Sequence, residues 1–311
     1  MHKNLHMCIF CSTFAEKMKI GVFDSGYGGL TILNAIRRRL PEYDYVYLGD
    51  NARAPYGTHS FDVIYRYTLQ AVQYLLDHDC ALVILACNTA SAKALRTIQQ
   101  VDLPQINKRM GDGKTVNVLG VIRPTVEAVP SITQTGHIGV LATPATVSSE
   151  SYVLELEKMS HQQPATERPL VVTQQACPMW VPLIEAGEHQ NAGADYFVDS
   201  YLRQILSKDF QIDTLVLGCT HYPLLQPKIE KWIEKNMLFG GNGNKLSVIA
   251  QGDLVAESLA DYLERHPEYR NQLSQGTTCR YLTTENADRF SQSASVFCDS
   301  PIHATHIDLA D

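Results

Sequence analysis

The sequence predicts an α/β protein made of two pseudo-symmetric, doubly wound parallel-sheet units, and three observations carry that expectation. Short β-rich apolar runs alternate with helical patterns from Met18 almost to the end of the chain. The runs that end in Cys87 and Cys219 are apolar at consecutive positions, as in strands buried on both faces of a parallel sheet. Three segments also recur in order. Ile20-Gly-Val-Phe-Asp-Ser returns as Ile138-Gly-Val-Leu-Ala-Thr, the run before Cys87 as the run before Cys219, and Val116-Asn-Val-Leu-Gly as Leu246-Ser-Val-Ile-Ala. Their spacing of roughly 120–130 residues is far longer than a solenoid period, so the repeated object is a whole α/β unit.

Taken in order, strands are expected at residues 19–23, 44–48, 81–86, 116–121, 137–141, 170–173, 213–217 and 246–250. Between the second and third, Phe61, Ile64, Tyr65, Leu69, Val72, Leu75 and Leu76 trace one face of a helix. Residues 29–40, 90–101 and 252–265 fit further crossover helices. The expected division is a first α/β domain over 18–104, with 247–311 returning to it, and a second over 105–246. Residues 1–17 form an N-terminal extension, and 105–115, polar with two glycines, reads as a surface insertion.

The chain's 311 residues suffice for two cores, and its formal charge of −7 makes nucleic acid a poor principal partner. No apolar run reaches the roughly 18 residues of a membrane span. The apolar core around Met7–Cys11 is too short for a signal peptide, so a cytoplasmic protein is expected. The eight cysteines are scattered, some within apolar runs, which suits reduced thiols. Cys8 and Cys11, with His2 and His6 nearby, lack a second ligand pair, so no metal site is assigned.

Ligands of doubly wound sheets bind beyond the carboxyl ends of the strands, where Asp24, Cys87, Thr143 and Cys219 all fall. A single cysteine in an apolar run is usually a small core residue. Two at equivalent repeat positions, each followed by polar residues, instead suggest a ligand gripped from both sides. Asp24-Ser-Gly-Tyr-Gly-Gly-Leu-Thr is not a dinucleotide fingerprint, because Thr31 stands where a third glycine belongs. Its glycine N–H groups could seat a small carboxylate. Tyr56, in a polar loop of the first half, and Glu185, in the matching segment of the second, are expected to approach one cleft, although Glu185 also reads as a solvated helix residue.

Together, Asp24-Ser-Gly-Tyr-Gly-Gly-Leu-Thr, Tyr47-Leu-Gly-Asp-Asn-Ala-Arg-Ala-Pro-Tyr-Gly, Ala86-Cys-Asn-Thr-Ala-Ser and Leu217-Gly-Cys-Thr-His-Tyr-Pro-Leu-Leu resemble the glutamate racemases, over about residues 18–265. That resemblance implies two α/β domains facing each other across a cleft. It also implies cofactor-independent interconversion of L- and D-glutamate, supplying D-glutamate for peptidoglycan. Cys87 and Cys219 match the catalytic cysteines, Cys87 expected to act on D-glutamate and Cys219 on L-glutamate. Asp24 and His221 match the residues that assist them, with Asp50 and Glu185 as weaker helpers. Asp24, Ser25, Tyr56, Gly57, Asn88, Thr89, Thr143, Thr146, Thr220 and His221 match substrate-contacting positions. The partner implied is the small molecule glutamate, with no cofactor and no membrane; the resemblance allows a homodimer.

Three alternatives stay open at this level. An aspartate racemase typically carries Glu in place of His221 and His in place of Ser91. A cysteine hydrolase would use one thiol with His221 as base and leave the second cysteine motif unexplained. A non-enzymatic amino-acid-binding protein would need no thiol on either face of its ligand.

Overall fold

The computed structural model describes residues 17–111, 114–162, 169–236, 246–298 and 300–309. Cys8, Cys11, His2 and His6, and the glycine-rich stretch at 240–244, lie outside the described residues. Among the described residues, ten strands form two wholly parallel sheets. The first contains β1 (Lys19–Asp24), β2 (Tyr45–Gly49), β3 (Cys80–Leu85), β4 (Asn117–Gly120), β9 (Cys279–Thr283) and β10 (Ala304–His306), in the order β10-β9-β2-β1-β3-β4. The second contains β5 (His137–Ala142), β6 (Val171–Ala176), β7 (Thr214–Gly218) and β8 (Ser247–Ile249), in the order β6-β5-β7-β8.

The repeat is visible in this ordering. β2-β1-β3-β4 and β6-β5-β7-β8 are the same arrangement, each reversing direction beside its first strand. β2, β3 and β7 are buried at every position, as expected of strands covered on both faces.

The expected boundary at 104/105 does not follow the sheets. β4 pairs with β3 (Leu82 opposite Asn117), so the first sheet extends to Gly120. β8 pairs with β7 (Thr214 opposite Ser247), so it belongs to the second sheet and not to the returning tail. The chain thus crosses to the second unit at Val121, entering the helix Ile122–Ile132, and crosses back at Gln251, entering the helix Gly252–Arg265. That return helix packs on Gly29–Arg39, and β9 and β10 extend the first sheet beyond β2.

Nor is 105–115 a simple surface loop. The helical path after β3 runs through a π turn at Ile98–Asp102 into the helix Leu103–Met110, which buries Leu103 and Ile106. In the helix Phe61–Asp77, Ile64, Val72, Leu75 and Leu76 are buried as the periodicity predicts, whereas Phe61 faces solvent. Among the described residues, no helix is long and apolar enough to cross a membrane.

Candidate active site

Both cysteines stand just beyond the strand at which their sheet reverses direction, Cys87 after β3 and Cys219 after β7. This is the crevice where open α/β sheets bind ligands. The two thiols are 6% and 7% exposed, each reachable but largely dry.

Cys87 caps the helix Asn88–Lys93, its Sγ accepting from Ala90 N–H at 3.5 Å and lying 3.3 Å from Ser25 Oγ. A helix start favours a thiolate, yet this helix is only six residues long. Burial prevails: with the negative field of Asp24 it pushes the Cys87 thiol up to about 12, against the pull of Ser25 and Ala90. Asp24 is itself buried, and burial raises its carboxyl despite the opposing pull of His221. Gly26 N–H donates to Asp24 Oδ2 at 3.0 Å, and Gly29 N–H also faces this carboxylate. The glycine loop therefore seats a carboxylate of the chain itself. Asp24 Oδ1 has no hydrogen-bond partner among the described residues.

On the other side, His221 Nδ1 lies 4.0 Å from Cys219 Sγ while Nε2 lies 3.0 Å from Glu185 Oε1. Burial pulls this imidazole down, but Cys219 and Glu185 together outweigh it and push it up to about 10. Glu185 is placed by packing. Its helix, Trp180–Glu185, starts at a fully buried Trp180 whose ring meets Tyr222 edge-on at 4.7 Å.

The two units meet at close range around these groups. A Cβ added to Gly28 would lie 2.3 Å from Thr220 Oγ1 and 2.4 Å from His221 Nδ1, and one on Gly57 would lie 3.2 Å from Thr143 Cβ. Thr31 Oγ1 lies 2.8 Å from Gly28 O and 3.1 Å from Thr220 O, its single hydrogen facing both carbonyls. The hydroxyls of Thr89, Thr143 and Thr146 form a buried triangle with sides of 3.0, 3.0 and 3.3 Å, so the first unit touches the second there too.

Other expected site residues are engaged differently. Tyr56 donates to Asp50 Oδ2, Arg53 pairs with the same oxygen at 2.7 Å, and Thr284 donates to Oδ1 at 2.8 Å. Both Asp50 oxygens are thus occupied by its own loop and the tail. Ser91 donates to Leu85 O at 2.8 Å, fastening the cysteine turn to its strand.

Sequence reasoning missed two groups. Phe297, in the tail, sets its ring edge-on to His221 at 5.2 Å and stacks on Tyr27. Gln251 and Tyr152 hold the Asn88 amide. No periodicity marks an isolated aromatic in a loop, but Gln251, directly before an amphipathic helix in an otherwise apolar crossing, was a readable anomaly.

A family model for Asp/Glu/hydantoin racemases matches residues 30–259. The chain is 40% identical to the glutamate racemase of Ruegeria sp. (strain TM1040), an alignment covering 90% of this chain and 96% of that one. It is 35% identical to that of Streptococcus suis (strain 05ZYH33), covering 94% and 100%. In three dimensions it is similar to a glutamate racemase isoform from Bacillus anthracis, with a TM-score of 0.77, 30% identity, and 94% and 98% of the two chains covered. The glutamate racemase from Francisella tularensis in complex with D-glutamate gives a TM-score of 0.76 at 29% identity, with the same coverage. The chain belongs to the Asp/Glu/hydantoin racemase family.

Proposed function

We propose that this family member is a glutamate racemase that interconverts L- and D-glutamate by a two-base mechanism on Cys87 and Cys219, without a cofactor. The observation that carries the reading is the pair of thiols at equivalent strand ends of two facing units, each beside its own proton-handling partner. The glutamate racemases it resembles over nearly their whole length supply the substrate. A cytoplasmic place and a supply of D-glutamate to peptidoglycan complete the proposal.

Inversion at Cα needs a base on one face and an acid on the other. From D-glutamate, the Cys87 thiolate takes the α-proton, forming S–H as C–H breaks. The electron pair delocalises into the substrate carboxylate, and the Cys219 thiol returns a proton to the opposite face. From L-glutamate the roles exchange. No lysine occupies a motif suggesting a Schiff base, so donors aimed at the carboxylate as its charge grows must lower the barrier. Asn88, Thr220 and the hydroxyl triangle are suited to that task.

The helpers differ in kind. Cys87 must lose its proton before it can act as base. Asp24, whose Oδ1 is unpartnered among the described residues and whose carboxyl is raised by burial, is the nearby acceptor. His221, an imidazolium at neutral pH, exchanges protons with Cys219, and Glu185 holds it in place.

The test is incubation of the purified chain with L-glutamate in deuterated water, without added cofactor. D-glutamate carrying deuterium at Cα is expected. D-glutamate with protium retained, or no D-isomer at all, refutes the proposal.

A further inference from the structure

The two chain crossings between the sheets, at Val121 and Gln251, are tied to each other and to the residue after Cys87 by one buried polar relay. Gln251, Tyr152, Thr125 and Asn88 are each 3% exposed or less. Thr125 Oγ1 donates to Val121 O at 3.0 Å, which spends its only hydrogen. Thr125 Oγ1 can therefore only accept from Gln251, and it does so from Nε2 at 2.9 Å. That contact fixes which end of the Gln251 amide is nitrogen. The same Nε2 reaches Tyr152 OH at 2.9 Å and Val121 O at 3.2 Å.

The orientation then propagates. With its nitrogen committed, Gln251 turns Oε1 to Asn88 and accepts from Nδ2 at 2.6 Å. Tyr152, whose oxygen accepts from Gln251, sends its hydrogen to Asn88 Oδ1 at 2.7 Å. Both ends of the Asn88 amide are thereby assigned. One Nδ2 hydrogen is used, and the second remains for a ligand. Turning the amide over would set oxygen against Gln251 Oε1 and nitrogen against the Tyr152 hydrogen, leaving buried groups unpaired.

We propose that Gln251 and Tyr152 are positioning residues of the racemase: they lock the Asn88 carboxamide with its free N–H toward the substrate carboxylate and fix that lock to both interdomain crossings. The inference rests on the racemase reading above. A donor aimed at charge that grows in the transition state acts on kcat more than on KM.

The test is a double-mutant cycle with glutamate as substrate, measuring kcat, KM and melting temperature. Gln251→Met keeps the length of the side chain and removes its polar atoms; Tyr152→Phe removes a single oxygen and serves if the first variant does not fold. Each should lower kcat roughly tenfold, the scale of a lost buried hydrogen bond, with KM within about twofold. In an Asn88→Ala background the same change should cost under about twofold, because its target is gone. Equal losses in both backgrounds, or an unchanged kcat, overturn the proposal. Hydrogen exchange at the Asn88 side-chain amide gives a readout independent of turnover. Protection of one Nδ2 proton should be present in the unsubstituted chain and lost in Gln251→Met, and unchanged protection overturns the relay. An unsubstituted chain that shows the protection but racemises nothing refutes the functional reading and leaves the relay standing.

Discussion

Gly28→Ala should damage activity far more than stability, and the structure gives the size of the effect. Gly28 has φ −59° and ψ −33°, a right-handed conformation that alanine adopts without strain. On backbone grounds alone the change would stabilise the chain by about 0.4–1 kcal/mol, through reduced freedom of the unfolded state. The obstacle is across the interface. The new Cβ would sit 2.3 Å from Thr220 Oγ1, 2.4 Å from His221 Nδ1 and 2.8 Å from His221 Cε1, where ordinary contact begins at 3.4 Å. Relief requires the Thr220–His221 turn or the whole second unit to retreat by about 1 Å, a displacement that can cost roughly 100-fold in rate, or about 2.7 kcal/mol of barrier. The assay is kcat/KM for both glutamate isomers beside a thermal melt. We expect a loss near two orders of magnitude in both directions, with the melting temperature within a few degrees of the parent. Gly193→Ala is the control, since its Cβ would meet only Asn191 Oδ1, at 3.2 Å. A Gly28→Ala enzyme within threefold of the parent would show that the two units do not close this tightly during turnover, and the reasoning would fall.

Cys87→Ser and Cys219→Ser should each lower racemisation by more than the roughly 10²–10⁴-fold of ordinary acid–base help. With an isomer carrying a good β-leaving group, Cys87→Ser should still eliminate from the L-form and Cys219→Ser from the D-form; the reverse pattern would exchange the two assignments. His221 should titrate near 10, against about 6.5 unperturbed, because Cys219 and Glu185 outweigh its burial. Its folded value being the higher, the stability it contributes is complete below about pH 6.5 and lost as pH rises through 10. NMR titration of the imidazole checks this, with Glu185→Gln expected to lower the midpoint and a parent midpoint near 6.5 contradicting it. Racemisation should also persist after exhaustive chelation and without pyridoxal phosphate; loss restored by added metal would overturn the two-thiol chemistry.

The sheets were legible because burial on both faces writes itself as consecutive apolar residues, and β3 and β7 fall where such runs end in cysteine. The division between units was not, because the repeat breaks at its edges. β4 is an edge strand of the first sheet and β8 an edge strand of the second. Each is followed by a crossing with no change of composition, so the sequence offers no linker to read. The tail was opaque for another reason. β9 and β10 are poorly patterned, and their cover comes from β9 pairing with β2 and from the helix Ala287–Ala294 packed on both. At the site, residue types that carry chemistry stood at strand ends and could be found one by one. Their partners could not. Nothing local ties Glu185 to His221, Thr89 to Thr143 or Asn88 to Gln251: the first pairing arises only when the second unit folds, and the other two only where the units meet.

The repeat makes the two thiols equivalent in position, whereas the chain around them makes them unequal in charge. Cys87 faces a carboxylate and a hydroxyl, Cys219 an imidazole backed by a carboxylate. A thiol pushed up to about 12 holds its proton at neutral pH, and an imidazole raised to about 10 holds its own beside the other sulfur. The resting site therefore stores its proton at Cys87 and its positive charge on His221, beside Cys219. On the two-base reading this is the distribution from which L-glutamate is attacked, with a sulfur stabilised by an imidazolium as base and a protonated Cys87 as acid. Turnover from the D-isomer needs two proton transfers first: one from Cys87 to Asp24, which is buried with one oxygen unpartnered among the described residues, and one from the His221 imidazolium to Cys219. Identical nucleophiles suit a reaction whose reverse is nearly itself, and unequal neighbours give each its own way to gain and lose the proton. Gene duplication would supply the first property, and divergence of the loops beyond β1 and β7 the second.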